Sequence, residues 1–416
     1  MGARVKHAGV REIPFTRPQF GPDERQAVLD ALETGAIGGN GAIGAALERD
    51  LEQRLQVRRA LMTTSCTHAL EMAAMASGWG PGDEVILPSF GFVTAATAIV
   101  RQGARPVFAE IDLATWNLDP VDTAARITPR TRAILPVHYA GQGCNMAVLE
   151  TLARRFSLTI VEDAAQAFGA KWDGRWLGTF GDIGCFSLHA TKNVVCGEGG
   201  IFVTNTPKIA DRAEIIREKG TNRHQFLRGE VDKYSWVEVG SSYVLSDLLA
   251  ALARVQIARC EDMQRQRSQV WWAYQQGLAD LAGAGAIILP YVDMLAEPNW
   301  HIYAFRVAEE SRRDSLLAYL KSQGIQATFH FVPLHSSPYG REKLGYAPED
   351  LPITELVSRT LVRLPIYPDL SADDQAYVLE AVHNYFMNTR RLRYCSSARW
   401  GAKGRDGRWV VVPARR

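Results

Sequence analysis

A chain of 416 residues is longer than one hydrophobic core usually organises, so two domains in one polypeptide are expected. Its 47% hydrophobic and 9% aromatic content is that of a globular enzyme, and no run of about 18 apolar residues offers a membrane-spanning helix. The net charge of +2 is unevenly held: Arg390 to Arg416 carries nine Lys or Arg against Asp406 alone, about +8, which leaves a mildly acidic body unsuited to nucleic acid.

The N-terminus, Met1-Gly-Ala-Arg-Val-Lys-His7, has no apolar signal core, and a cytoplasmic protein is expected. The spacing predicts helices over Asp23–Thr34 and Ile43–Leu55, joined by the glycine-rich loop 35–41. A short strand over Ala60–Thr64 meets Ser65-Cys-Thr67, and helical spacing continues from His68 to Ser77. The turn Gly80-Pro-Gly-Asp83 leads into a strand at Glu84–Pro88 and a helix at Thr94–Arg101. Pro106–Glu110, Ala133–Val137 and Leu158–Glu162 are further apolar strands with amphipathic segments between them. Such alternation implies an α/β fold with a largely parallel sheet, helices on both faces, and ligands beyond the carboxyl ends of the strands. Ser65, Phe90, His138 and Asp163 fall at or just past those ends.

A long helical stretch from Ser246 to Leu281 leads out of this unit. Strands at Ala304–Ala308 and Ala327–Phe331, with helices at Arg313–Gln323 and Ala372–Phe386, predict a smaller α+β domain. The expected organisation is an extension over 1–12, a large domain over 13–250, a small domain with its linking helix over 251–388, and a basic, disordered tail over 389–416. The six cysteines (66, 144, 185, 196, 260 and 395) form no C-x-x-C pair and read as reduced thiols, with no metal site.

The chemistry centres on Lys192, at the end of the small-residue stretch that begins at Cys185, with Val161-Glu-Asp163-Ala-Ala-Gln166 upstream. A lysine amine can condense with the aldehyde of pyridoxal phosphate, and a strand-end carboxylate such as Asp163 can keep the pyridine nitrogen protonated. The cofactor's phosphate suits the helix start at Ser65, Cys66 and Thr67, with Ser187 adding a hydroxyl. Phe92 could stack on the ring and Gln166 could donate to its phenolic oxygen. Each residue alone has a plainer reading as a helix cap, core aromatic or surface lysine; their joint order along the sheet edge favours the cofactor.

Six segments match in order the DegT/DnrJ/EryC1/StrS family of nucleotide-sugar aminotransferases: Thr64 to Ala74, Pro88-Ser-Phe90, Pro136 to Gly141, Glu162 to Gln166, Ser187 to Asn193 and Gly197-Glu-Gly-Gly200. The resemblance runs from about Ile13 to Phe386. It implies fold type I of the pyridoxal phosphate enzymes, with a mostly parallel seven-stranded sheet, and a homodimer with active sites at the subunit interface. It implies transfer from L-glutamate, through the pyridoxamine form of the cofactor, to a keto sugar. Residues 215–234 and Gly240-Ser-Ser-Tyr243 are similar to the branch that makes TDP-4-amino-4,6-dideoxygalactose from TDP-4-keto-6-deoxyglucose, a sugar of enterobacterial common antigen and of lipopolysaccharide O-antigen. Two positions depart from the family pattern. Gly91 stands where a threonine usually precedes the stacking aromatic, and Ser241 or Ser242 stands in for an asparagine borrowed from the neighbouring subunit.

Arg228, Lys233 and Tyr234 suit a diphosphate and a thymine, and His330 and His335 suit contacts near the sugar; a solvated loop and a metal pair are the competing readings. The competing functions are amination at C3 of a sugar or on a cyclitol ketone, and a non-catalytic cofactor-binding regulator. Dehydratase relatives carry a histidine in place of the lysine, and Lys192 argues against that branch.

Overall fold

Short apolar runs at regular intervals build one seven-stranded sheet. Its strands are β1 (Arg59–Thr63), β2 (Glu84–Pro88), β3 (Arg105–Ala109), β4 (Thr131–Ile134), β5 (Thr159–Asp163), β6 (Ile183–Ser187) and β7 (Gly200–Thr204). The computed structural model describes residues 11–387, and beyond them the backbone alone of 388–397, 400–403 and 409–411. The spatial order is β1-β7-β6-β5-β4-β2-β3. β7 is antiparallel to β1 and to β6, whereas the remaining pairings are parallel. The mostly parallel α/β sheet expected from the sequence is therefore present.

Successive strand residues face opposite sides, and both sides are covered. Ile86, Ile134, Ile160 and Phe186 pack into one core with Leu47 and Leu51. Val85, Leu87, Val161 and Phe202 pack into the other with Leu70 and Ile99. Burial on both faces explains why the strands read as unbroken apolar runs. Five of them match the predicted segments to within a few residues, while β6 and β7 lie on either side of the lysine segment and were not predicted from periodicity.

The reversed strand matters for function. β5 and β6 deliver their ends, Asp163 and Ser187, to one edge, and β7 starts at that same edge with Gly200 opposite both Ser187 and Thr63. The connection 188–199, with Lys192 inside it, is thereby held at the carboxyl edge of the sheet.

The helix Asp247–Ala258 packs Ala250, Ala253 and Ile257 on the first core, so residue 250 falls within an element of the large sheet unit. The helix Cys260–Gly277 then leads to a three-stranded antiparallel sheet, β8 (Ile287–Ile288), β9 (Tyr303–Val307) and β10 (Leu361–Leu364). Trp271, Tyr274, Phe305, Leu320, Val362 and Val382 form a third core, which Ile13 joins from the other end of the chain. The backbone of Ile13 bonds Gly324 and Gln326 at 2.9 and 3.0 Å.

The strand predicted over Ala327–Phe331 does not form. Only Thr328 pairs, with Arg363, and Phe331 has φ of 24°. The adjacent His330 and Phe331 rings stack at 3.7 Å and 23°, which puts neighbouring side chains on one side where a strand would oppose them. The final helix runs from Ala372 to Ser397, past the predicted end at Phe386, and the backbones of Trp400–Lys403 and Trp409–Val411 pair as a two-stranded ribbon. The remainder of the expected basic tail, and residues 1–10 of the expected extension, lie outside the described residues. No helix among the described residues is long and apolar enough to cross a membrane.

Candidate active site

A cavity of about 480 Å³ opens at the carboxyl edge of the sheet, within the ordinary size range of small-ligand pockets. Ser65, Cys66, Thr67, Phe92, Asp163, Gln166, Ser187, Lys192 and His330, all selected from the sequence, line it.

One wall is a helix start. Ser65 is the N-cap of helix Cys66–Ser77, and its Oγ accepts the His68 N–H at 3.1 Å. The backbone N–H groups of Cys66 and Thr67, in the first turn, have no partner within the helix and suit an anion. Gly200 makes this wall possible: a Cβ there would lie 2.4 Å from the Ser65 carbonyl carbon and oxygen. Burial pushes the Cys66 thiol up, so it stays neutral beside that helix start.

A second wall carries the carboxylate. Asp163 Oδ1 accepts the Ala165 N–H at 3.0 Å, and its own backbone pairs with Pro136 and His138. The neighbouring Glu162 is fully buried yet takes N–H groups from His138 Nε2, Gly178 and Gly181 at 2.8, 2.7 and 2.6 Å. A buried carboxylate so completely satisfied anchors the strand end that presents Asp163. Burial pushes Asp163 up, while the Ala165 N–H and the charges of Lys192 and His138 hold it down.

Lys192 is held by a tight loop, with hydrogen bonds from Leu188 N to Gly199 O, Ala190 N to Gly197 O and Lys192 N to His189 O. Burial lowers its amine below the ordinary lysine range; the Asp163 charge pulls upward and Arg363 adds to the lowering. Phe92, the N-cap of helix Val93–Arg101, is 58% exposed on the cavity wall, a position with an open ring face. The Gln166 side-chain oxygen accepts the Ala140 N–H at 2.8 Å, which leaves its NH₂ group to donate. Ser187 Oγ accepts the His189 N–H at 3.3 Å.

Other residues selected from the sequence lie elsewhere. His335 is completely buried, bonded through Nδ1 to Ser89 Oγ at 2.7 Å, and ties the end of β2 to the second unit. Arg228 is paired with Glu214 and Glu230, and Tyr234 packs on Phe226 at the surface. Ser241 and Ser242 are exposed and do not line the cavity of their own chain. Gly91 has room for a side chain, its added Cβ meeting nothing closer than 3.6 Å. Among the described residues no group of three His, Cys, Asp or Glu could hold a metal ion.

The structure also adds residues that sequence reasoning missed. His301 lines the cavity, and its Nδ1 donates to Asn193 Oδ1 at 2.9 Å; Asn193 in turn donates to the Asn299 carbonyl at 2.7 Å. That chain of bonds fixes the tautomer and leaves Nε2 as an acceptor, and burial holds the ring neutral. Phe15 and Arg363 also line the cavity, from segments near the two ends of the chain, and Glu198 adds a carboxylate. Only the adjacency of Asn193 to the lysine could have pointed to this group. His301 and Arg363 sit in segments without a motif.

The profile of the DegT/DnrJ/EryC1/StrS aminotransferase family matches residues 18–383. The spore coat polysaccharide biosynthesis protein SpsC of Bacillus subtilis (strain 168) is 35% identical over 379 residues, covering 89% of this chain and 96% of SpsC. The aminotransferase TlmJ from Streptoalloteichus hindustanus is 30% identical, with a TM-score of 0.84 over 91% of this chain and all of TlmJ. The sugar aminotransferase Spr1654 from Streptococcus pneumoniae, described as putative, is 26% identical in its PLP form, with a TM-score of 0.82 over 89% of this chain and 98% of Spr1654.

Proposed function

Because the chain belongs to the DegT/DnrJ/EryC1/StrS aminotransferase family, whose cofactor is pyridoxal phosphate, we propose that it moves an amino group from L-glutamate to C4 of a nucleotide-linked keto sugar. The proposed conversion is of TDP-4-keto-6-deoxyglucose to TDP-4-amino-4,6-dideoxygalactose. One observation carries the reading: a buried, pKa-lowered Lys192 and a strand-end Asp163 share one cavity with a capped helix start.

The residues suit the cofactor end to end. Ser65, Thr67, Ser187 and the N–H groups of the first helical turn would hold the phosphate, with Gly200 keeping the approach tight. Asp163 would hold a proton at the ring nitrogen, Phe92 would cover one ring face, and Gln166 would donate to the phenolic oxygen. When bound, pyridoxal phosphate supplies an aldehyde carbon for the incoming amine and a ring that accepts electrons.

Lys192 does the proton work. Burial lowers its pKa and so favours the neutral amine, the form that can take the proton from the donor's Cα. The same group, now protonated, can return a proton to sugar C4 in the second half of the cycle. His301, held neutral and oriented by Asn193, keeps an acceptor nitrogen in a ring that lines the same cavity.

The choice of C4 and of a TDP sugar rests on the resemblance over 215–243, and the polysaccharide role named for SpsC supports a sugar substrate. Pairing of two copies is part of the proposal. Exposed Trp236, Val237 and Val239, on the arm that carries Arg228 and Tyr234, offer an apolar surface for it.

The test is to mix the purified protein with L-glutamate and TDP-4-keto-6-deoxyglucose and examine the product by NMR. An axial amine at C4 supports the reading. An amine at C3, or no amination of any keto sugar while the cofactor stays bound, overturns it.

A further inference from the structure

The protonation of the His301 ring is dictated by a backbone carbonyl two residues before it. The Asn299 carbonyl can only accept, so the Asn193 group that meets it at 2.7 Å is the NH₂. The Asn193 side-chain oxygen is thereby turned to His301 Nδ1 at 2.9 Å, and Nδ1 must carry the ring proton. Nε2 is left with a lone pair and no hydrogen-bond partner among the described residues, in a ring that lines the cavity. The second histidine of the cavity is not fixed in this way: His330 Nδ1 meets the Tyr139 hydroxyl at 2.7 Å, and a hydroxyl can donate or accept.

The frame behind His301 is dense. Asn299 donates to the Gln166 and Phe168 carbonyls at 2.8 and 3.0 Å, and its side-chain oxygen takes the His301 N–H at 3.2 Å. Gly141 makes room for it, since a Cβ there would lie 1.8 Å from Asn299 Oδ1. Asn193, Asn299 and His301 are all buried. Asn193 directly follows Lys192, so one frame sets both the ring and the lysine loop. Burial and the positive charges around the ring, led by Lys192 and followed by Arg267, Arg363 and His330, all oppose its protonation. The Glu198 carboxylate in the cavity faces His189 Nε2, at 3.6 Å.

An open acceptor in a ring that resists protonation suits a donor that arrives during the reaction. On the transaminase reading, Lys192 carries a proton between removing it and returning it, and for that interval it is an ammonium in a buried site. A buried ammonium needs acceptors, and Asp163 is committed to the cofactor's ring nitrogen. Resting on that reading, we propose that His301 is a positioning residue whose Nε2 accepts a hydrogen bond from the Lys192 ammonium in both half-reactions. The ring steadies the amine without adding a permanent charge, and because it stays neutral the proton remains on the lysine.

Two variants separate this role from the frame. The amide NH₂ of Asn takes the place of Nδ1–H, and the amide oxygen of Gln takes the place of Nε2. His301→Asn therefore keeps a donor for Asn193 and loses the acceptor in the cavity, and His301→Gln does the reverse. In the cofactor-free protein, uptake of pyridoxal phosphate levels off at the pH where Lys192 loses its proton. Asp163 acts upward and Arg363 downward on that pH in every variant, so the difference reports on position 301. In His301→Asn the plateau should come about one pH unit lower, because the ammonium has lost a charge-assisted hydrogen bond, and in His301→Gln within about 0.3 unit of wild type. Rapid mixing reads the two half-reactions separately, with L-glutamate and with TDP-4-keto-6-deoxyglucose. In His301→Asn the rate constant of each should fall about tenfold with KM within about twofold, and His301→Gln should recover most of it. A plateau at the wild-type pH in His301→Asn overturns the proposal. So does a change confined to one half-reaction and its KM, which would make the ring a substrate contact. If His301→Gln loses as much as His301→Asn, the ring serves the frame alone and the proposal falls. If the wild type is not converted by L-glutamate, the transaminase reading falls, and the uptake titration still decides whether His301 holds the lysine.

Discussion

The two sides of the cavity are built on different principles. On the sheet side, Asp163, Ser187 and Lys192 come from strand ends and one tight loop, and the polar groups behind them are paired. On the opposite side, Arg363, His330 and Phe15 come from distant parts of the chain, and the Nε of Arg363 has no hydrogen-bond partner among the described residues. The first side is finished before a ligand binds, as a permanently held cofactor requires. The second, on the proposed reading, is the side that substrates would meet.

The largest effect expected is at the lysine. Lys192→Ala should lower turnover by about 10⁴-fold or more, because it removes the group that both receives and returns the proton. Retention of wild-type turnover in a purified, folded variant would remove the sheet side from the chemistry. Asp163→Asn keeps the shape but loses the charge, and a loss on the order of 10²–10³-fold in the glutamate half-reaction is expected.

Cofactor uptake gives a pH test of the same side. The neutral amine of Lys192 is the form that reacts, so uptake by the cofactor-free protein should rise with pH. Because burial lowers this amine, the rise should level off below the ordinary lysine range. A rate still climbing past that range would mean that the amine is not held in the buried setting described here.

Gly200→Ala forces a methyl group into the Ser65–Cys66 backbone, and overpacking of this kind costs about 1–3 kcal/mol. Thermal unfolding should show the loss, and cofactor affinity should fall with it. The smallest kinetic effect belongs to His335. Buried and bonded to Ser89, it should lower the melting temperature when replaced by alanine while kcat stays within about threefold of wild type. His330→Ala should do the reverse, altering KM more than stability, since His330 lines the cavity.

The difference between the two sides also explains what could be read from the sequence. Ser65 and Asp163 were legible because they stand at or just past strand ends, where short apolar runs stop and small or polar residues follow, and Lys192 because it closes a stretch of small residues. The sheet then brings these ends to one edge, although the spatial order, β1-β7-β6-β5-β4-β2-β3, is not the order in the chain. β6 and β7 escaped notice because Gly184 and Cys185, and the glycines before Ile201, break the pattern of a branched apolar run. Phe329 to Phe331 misled for the opposite reason: alternating aromatics imitate a strand, and only the ring stack reveals the turn. His335 stands five residues from His330 in the same segment, and spacing alone could not tell the buried latch from the cavity wall. Arg363 was invisible because an arginine in Val362-Arg-Leu364 reads as the solvent face of a strand, whereas the second unit turns that face into the cavity.

The central claim is that Lys192 is the residue joined to the cofactor. Treating the cofactor-loaded protein with borohydride, digesting it and mapping the labelled peptide by mass spectrometry tests it directly. The account predicts one pyridoxyl group, on the peptide that contains Lys192. Label on another lysine, or a loaded protein that yields no labelled peptide, would contradict it.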